Sequence, residues 1–574
     1  MKLVNGLLTL SFVLGFLPFG FAQTIRVSQH SMGYQGDRDS FDPSISACGR
    51  FVAFASPANT LVHADRNRLC DIFVHDADQS TTVRITKRWD GSRYGPDGES
   101  WAPALSGTGR FVAFHSYATD LVNWDTNDVA DVFIHDRDPD ENGVFDEDNG
   151  ITKRVSVSSQ GKQGDGDSWS AAISADGRFA AFHSIATTLV SGDSNGVGDV
   201  FVRNIAAHVT VRVSVATGGA QGNASSFAPA LSADGRFVTF ASLASNLVGG
   251  DTNGAWDIFV HDRDPDGNGI LDEGNGATSC ASLCSDGAPA DDGSFDPRIS
   301  ADGRYVVFSS EATNFVPDDT NGREDVFIKD LSTGSIERLS TSKEGAEGDQ
   351  PARRPDLSPD GRFAAFESAA TNLVAGDTNG VSDVFVRDRD RGTTERVSLS
   401  SEDSEGDGGS LRAVISSDGR FVAFQSAATN LVNNDTNGYI DVFRRDRCDA
   451  EWQNYGEGWA GTNGIPTLTS REDPLLCSTV TLVVTSSNPS TTQAFLFRGV
   501  ERVSVRTRWG GTLLVLPVSV YPFVLPSAGA ELPLAIPCDD EFCGLSVYLQ
   551  VLELDTGASD GVSFTPGLEL KLGR

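Results

Sequence analysis

Ser358-Pro359-Asp360-Gly361-Arg362-Phe363-Ala364-Ala365-Phe366, followed by Asp377-Thr378-Asn379-Gly380-Val381-Ser382-Asp383-Val384-Phe385, is the stretch whose reading decides the fold. It returns seven times. Its arginine falls at Arg50, Arg110, Arg178, Arg236, Arg304, Arg362 and Arg420, so successive copies lie 60, 68, 58, 68, 58 and 58 residues apart. A near-fixed period of this length marks an array in which each copy is one structural unit.

One copy reads as four short strands. The first, of the type Pro355 to Ser358, ends in an Asp-Gly turn that allows a tight reversal. The second, Arg362 to Phe366, is apolar on both faces, as a strand buried on both sides must be. The third starts at Asp383 after a long polar loop, and the fourth, Thr394-Glu395-Arg396-Val397-Ser398, alternates polar and apolar residues like an outer strand. The longer spacings come from acidic inserts of about ten residues after Asp136 and Asp262, between third and fourth strands. The seventh copy leaves the pattern at Arg447-Cys448 without a fourth strand, and Thr24-Ile25-Arg26-Val27-Ser28 matches the missing one. The expected fold is therefore all-β: a seven-bladed β-propeller over residues 23–448 closed by its N-terminal strand, then a C-terminal β-sandwich-like domain over 449–574.

Ser232-Ala233-Asp234-Gly235-Arg236-Phe237-Val238, with the Asp-Ile/Val-Phe-Val third strand, resembles the TolB-type, WD-repeat-like β-propeller over roughly residues 24 to 448. The resemblance implies a seven-bladed propeller of the kind that serves as a binding platform, a periplasmic scaffold or an enzyme. Two features depart from TolB itself: the long Asp-x-Asn-Gly loops, and the lack of its N-terminal α/β domain.

Lys2 and the apolar run Leu7 to Phe21, ending in Gly20-Phe21-Ala22, read as a signal peptide over residues 1–22. No later stretch is long and apolar enough to span a bilayer as a helix. The expectation is a monomer that is secreted, periplasmic or at the cell surface. A formal net charge of −34 argues against nucleic acid and anionic membranes, which require basic patches. Eight cysteines in an exported chain make disulfides plausible, with Cys538–Cys543 and Cys448–Cys477 as the favoured pairs. Cys48 with Cys70, and Cys280 with Cys284, are disfavoured by strand geometry.

Three sets of residues suggest chemistry. The loops before the third strands have the form Asp-x-Asn-Gly-x-x-Asp, as at Asp377/Asn379/Asp383, with a degraded copy at Asp65/Asn67/Asp71. They resemble shortened calcium loops of FG-GAP integrin-type propellers with the first ligand missing, and the Asx turn at the Asn-Gly bend is the favoured reading. The inserts are richer: Asp262, Asp264, Asp266, Asp272 and Glu273 place oxygens as an EF-hand-like loop does, and Asp136, Asp138, Asp140, Asp146 and Glu147 repeat the spacing. A structural calcium ion is the cofactor expected there. The repeated arginine, finally, should pair with the acid ending the third strand: Arg362 with Asp388, Arg304 with Asp330 and Arg420 with Asp446, whereas Arg178 would face Asn204.

Catalytic signatures fail. His75, His135 and His261 share one repeat position, His115 and His183 another, and His30, His63 and His208 show no ligand spacing. Gly557-Ala558-Ser559-Asp560-Gly561 and Asp555-Thr556-Gly557 overlap in one turn with no histidine after them. The function expected is a non-enzymatic platform for a protein or glycan ligand; the alternative is a polysaccharide lyase or hydrolase of the propeller type.

Overall fold

Apolar side chains on both faces make the second strand of each copy a core strand. Phe363–Ser368 is buried along its whole length, as are Phe51–Ser56 and the third strand Asp383–Asp388. A phenylalanine of the second strand lies opposite one of the third, and their rings pack at 5.7 Å for Phe54/Phe73 and 5.9 Å for Phe366/Phe385. Each such buried ring contributes roughly 2 kcal/mol or more by burial.

The computed structural model describes residues 24–63, 65–92, 94–447, 451–474, 478–507, 511–537 and 545–573. The expected leader over 1–22 lies outside the described residues, as do Cys448, Cys477, Cys538 and Cys543. Among the described residues there is no helix, and residues 24–445 form one compact unit. It holds seven four-stranded antiparallel sheets, six of them with their strands side by side in chain order. The first sheet is Phe41–Ile45, Phe51–Ser56, Asp71–Asp76 and Thr81–Arg84; the sixth is Ala352–Leu357, Phe363–Ser368, Asp383–Asp388 and Thr393–Arg396. In the seventh, Thr24–Arg26 supplies the fourth strand, with Thr24 opposite Arg445 and Arg26 opposite Phe443.

Two devices join one sheet to the next. In the Asp-Gly turn, Gly361 has φ +77°, and a Cβ there would stand 2.4 Å from the Tyr305 ring of the preceding sheet. Gly49 of the first sheet meets Phe421 of the seventh at 2.1 Å in the same way. The glycine is thus required twice over, by backbone conformation and by a neighbouring ring. The second device is a relay of backbone hydrogen bonds between these turns: Ser417 donates to Ala47, Ala47 to Gly107, Gly107 to Ala175, Ala175 to Ala233, Ala233 to Ala301 and Ala301 to Pro359. Pro359 has no N–H, so it cannot pass the relay on to Ser417.

Each first strand carries a bulge two residues from its start. The residue there has φ between 48° and 55° in every sheet: Asp42, Ala102, Ser170, Ala228, Asp296, Arg354 and Arg412. Left-handed backbone at a non-glycine residue is strained by about 1 kcal/mol or more. Seven repetitions make it part of the fold.

The C-terminal unit is all-β as well. Glu451–Tyr455, Gly567–Lys571, Ser546–Leu554, Thr492–Gly499 and Ser519–Leu525 form one sheet, with Val562–Phe564 beside Ser546–Leu554. Leu468–Ser470, Thr479–Val484 and Ala530–Ala535 form a second. Leu482 and Val484 of the second sheet share a core with Leu496, Leu549 and Leu570 of the first, the arrangement of two sheets packed face to face.

Candidate functional site

The loops before the third strands hold a guanidinium. The fourth strand presents an arginine opposite the third-strand phenylalanine, as in the pairs Phe73/Arg84, Phe201/Arg212 and Phe385/Arg396. That arginine lies between the first and last aspartates of the loop: Arg154 is 2.9 Å from Asp125 and 2.8 Å from Asp131, Arg212 is 3.0 Å from Asp193 and 3.1 Å from Asp199, and Arg26 is 3.1 Å from Asp435 and 3.0 Å from Asp441. Arg396 adds Glu405 at 2.7 Å to Asp377 at 3.1 Å and Asp383 at 3.4 Å. The asparagine closes an Asx turn, its side-chain oxygen accepting the N–H two residues on, as Asn321 does from Arg323 at 2.7 Å. Burial still pushes Asp71 up to about 7 against the pull of Arg84, and Asp319 up to about 6.

The fourth sheet breaks this pattern. Cys280 stands opposite Phe259, where the other sheets carry arginine. Asp251 and Asp257 face no guanidinium from that position, and burial raises both carboxyls. Cys280, like Cys48, Cys70 and Cys284, is a free thiol, and burial pushes it up to about 12.

The two acidic inserts share one arrangement. Asp262 accepts from Arg236 at 2.7 Å, and Asp272 accepts from the buried Arg263, at 2.8 Å through Nε. Asp264 accepts the backbone N–H groups of Asn268 and Gly269 at 3.0 and 2.9 Å. Asn268 donates to Asp266 at 3.2 Å and to Glu273 at 2.7 Å. In the other insert Asp136 pairs with Arg110, Asp146 with Arg137 at 3.1 Å, and Asp138 caps Asn142 and Gly143. Asn142 reaches Asp140 and Glu147. Arginine and amide groups therefore take oxygens that a calcium ion would need, and the residues fit such an ion only in part. Among the described residues no three His, Cys, Asp or Glu side chains are grouped as metal ligands.

The repeated arginine pairs with the third strand: Arg362 with Asp388 at 2.9 Å, Arg304 with Asp330 at 2.7 Å and Arg50 with Asp76 at 2.7 Å. Arg304 holds the Asp330 carboxyl well below the usual range. Arg178, opposite Asn204 in the sequence reading, turns back to Asp176 of its own turn. His75, His135 and His261 each meet a fourth-strand threonine hydroxyl, at 2.8 to 2.9 Å. His30 and His63, which spacing does not link, lie with ring centres 4.8 Å apart. Asp555 is buried and accepts from Thr462 at 2.6 Å, so its triplet is a pinned turn.

A cavity of about 530 Å³ is lined by the first strands of all seven sheets. Its lining begins at the bulge residues and ends at the relay turns. Its two sides differ. On the second to fourth sheets the bulge residues are Ala102, Ser170 and Ala228, preceded by Trp101, Trp169 and Phe227. Tyr117, Ile185 and Leu243, which follow the second strands of those sheets, are exposed by 50, 48 and 37 %. Trp169 stacks on His183 and donates to the Tyr117 hydroxyl at 3.4 Å. On the fifth to seventh sheets the lining carries Asp296, Arg298, Arg354, Asp356 and Arg412. The sequence hides this division because it falls at positions where the copies of the repeat differ.

No protein family and no curated protein matches the chain. Among solved structures it is similar to a TolB-assigned protein from Agrobacterium tumefaciens, at 16 % identity over 57 % of this chain and 89 % of that one, with a TM-score of 0.32. It is similar to the WD40 repeats of RRP9 at 10 % identity over 75 % of this chain and 99 % of that one, TM-score 0.37. A Hadza microbial sialidase matches at 8 % identity over 66 % and 73 %, TM-score 0.29. These overlaps carry no functional weight. The seven antiparallel four-stranded sheets are themselves the repeat of a TolB-like, WD40-like propeller.

Proposed function

We propose that the chain is an exported, closed seven-bladed propeller that binds a protein or glycan ligand at the mouth of its cavity without transforming it. Contact between the first strands of the first and seventh sheets, the seventh sheet's borrowed strand and the relay from Ser417 to Ala47 support closure. The observation that carries the binding reading is the divided mouth, with exposed apolar side chains on one side and arginines with carboxylates on the other. Repeat positions used only for packing would be alike in all sheets; an exposed apolar arc beside a cavity is the usual mark of a binding surface. The alternative, a lyase holding its metal with histidines in the channel, has no histidine among the described residues that line this cavity.

Calcium belongs to this proposal in a restricted form, at the exposed Asp266 and Glu273 and at Asp140 and Glu147, where it would stiffen the inserts. The test of the binding reading is a glycan and peptide array probed with the full chain and with a Tyr117→Ala, Trp169→Ala double variant. Ligands should be lost from the variant while melting stays near that of the parent. Retention of every ligand by the double variant refutes the mouth as the site.

A further inference from the structure

Resting on the reading of the mouth as a binding site, we propose that its arginine sector takes the carboxylate of an acidic sugar, a uronate at the end of a short oligosaccharide. The clasp arginines are buried between carboxylates; Arg396, for example, has a side-chain exposure of 8 %. Arg298, Arg354 and Arg412, on three consecutive sheets, are exposed by 44, 44 and 45 % and line the cavity. They are also anchored. Arg412 reaches Asp42 at 2.9 Å and Arg354 reaches Glu367 at 3.0 Å, while the second oxygen of Glu367 accepts the backbone N–H of Arg412 at 2.7 Å. Arg298 sits 3.7 Å from Asp356, whose other oxygen accepts the N–H of Ile415 at 2.9 Å.

This arrangement presents guanidinium groups to a ligand. One carboxylate neighbour on each arginine fixes the side chain and lets three cations stand in one cavity. Each planar fork still has further N–H donors, and that geometry matches a carboxylate with two parallel hydrogen bonds. Arg354 and Arg412 occupy the strained bulge position, at φ +48° and +55°. There the backbone and not side-chain rotamer choice sets their direction.

The facing wall selects the rest of the ligand. Ala102, Ser170 and Ala228 leave room, and the exposed ring of Tyr117, held by Trp169 at the start of these strands, is available to the C–H side of a sugar ring at the mouth. A volume of about 530 Å³ is in the small-ligand range. The surrounding net charge of −34 opposes the approach of long polyanions, so a short acidic chain is favoured over a nucleic acid.

The experiment is calorimetry on the full chain with galacturonate di- and trisaccharides against the matching neutral galactose oligosaccharides. The acidic sugars should bind at least about tenfold more tightly. Arg354→Ala and Arg412→Ala should each weaken them by about tenfold or more and leave neutral-sugar binding unchanged, with Arg354→Lys recovering only part of the loss because it lacks the fork. Arg298→Gln, at a position of ordinary backbone, is the second variant should either alanine change fail to fold. Equal affinity for acidic and neutral sugars, no binding of the acidic sugar at millimolar concentration, or affinity unmoved in folded arginine variants would overturn the inference. Binding of an acidic peptide instead would also overturn it while leaving the mouth as a binding site; only loss of the mouth's role in the double variant removes both.

Discussion

Exchanging the clasp between sheets tests the account of the Asp-x-Asn-Gly loops. Arg396→Cys would give the sixth sheet the residue that the fourth carries at Cys280, and Cys280→Arg would do the reverse. Arg396 lies among Asp377, Asp383 and Glu405, with the first two almost fully buried. Removing one partner of a buried ionic cluster costs about 3–5 kcal/mol. Protonation of an aspartate relieves part of this, at about 1.4 kcal/mol per pKa unit, so about 3 kcal/mol is expected near neutral pH. With an unfolding entropy of about 2.1 cal/mol/K per residue, a unit of this size has roughly 0.9 kcal/mol/K, and the melting temperature should fall by about 3 °C. The pH dependence has a definite sign. Burial already raises the Asp377 carboxyl against the pull of Arg396, and loss of the guanidinium raises it further, so the folded variant binds protons more tightly and its deficit shrinks as pH falls toward 5. Cys280→Arg should gain about 0.5–2 kcal/mol by restoring the countercharge to Asp251 and Asp257. Calorimetric melting of the four combinations at two pH values is the assay. An unchanged melt for Arg396→Cys together with a lowered one for Cys280→Arg would refute the view that these aspartates are a seat for arginine.

Three further outcomes are expected. Gly361→Ala, with φ +77° and a ring at 2.4 Å, should destabilise by about 3 kcal/mol or more, whereas Gly33→Ala, with φ +80° and nothing within 4 Å, should cost only about 1 kcal/mol; equal losses in a denaturant titration would deny the inter-sheet packing role of the turn. Burial lowers His75, His115, His135, His183 and His261 to about 4, so the stability they contribute is full above the unfolded pKa near 6.5 and is lost as pH falls from there through 4. One such imidazole should cost about 2 kcal/mol at pH 5, and His135→Gln should flatten the decline of melting temperature between pH 6.5 and 5; an unaltered slope rejects the assignment. Calcium calorimetry should show binding no tighter than about 0.1–1 mM, since arginines hold Asp262 and Asp272, and submicromolar affinity would mean that those ion pairs open.

How much of this was legible depends on whether a feature repeats. The four strands, their order and the borrowed strand at Thr24 follow from one apolar pattern copied seven times, and local pattern and sheet topology agree throughout. The clasp was legible in principle and passed over. Arg84, Arg212, Arg338 and Arg396 each follow the last loop aspartate by the same interval, and a cation at a constant distance from two aspartates signals a pair in the same way that the constant offset from Arg362 to Asp388 did. Read as a merely polar position on an outer strand, it leaves the loop acids without a countercharge, and the loops then read as Asx turns or shortened calcium loops.

The cavity is different in kind. Its lining comes from a bulge, and a bulge reverses the side to which alternation assigns the next residue. Counting inward and outward positions along Phe41–Ile45 therefore misplaces Asp42, and Arg354 and Arg412 with it. Those positions also differ from copy to copy, so an eye searching for repeats discards them as noise. In a repeat protein the copies share whatever builds the sheets, and a ligand that touches several sheets at once is met by the residues in which the copies differ. The departures from the repeat (Arg298, Arg354 and Arg412 in the cavity lining, and Trp101, Tyr117 and Trp169 next to its lining residues Ala102 and Ser170) are for that reason the part of the chain in which a binding function can reside.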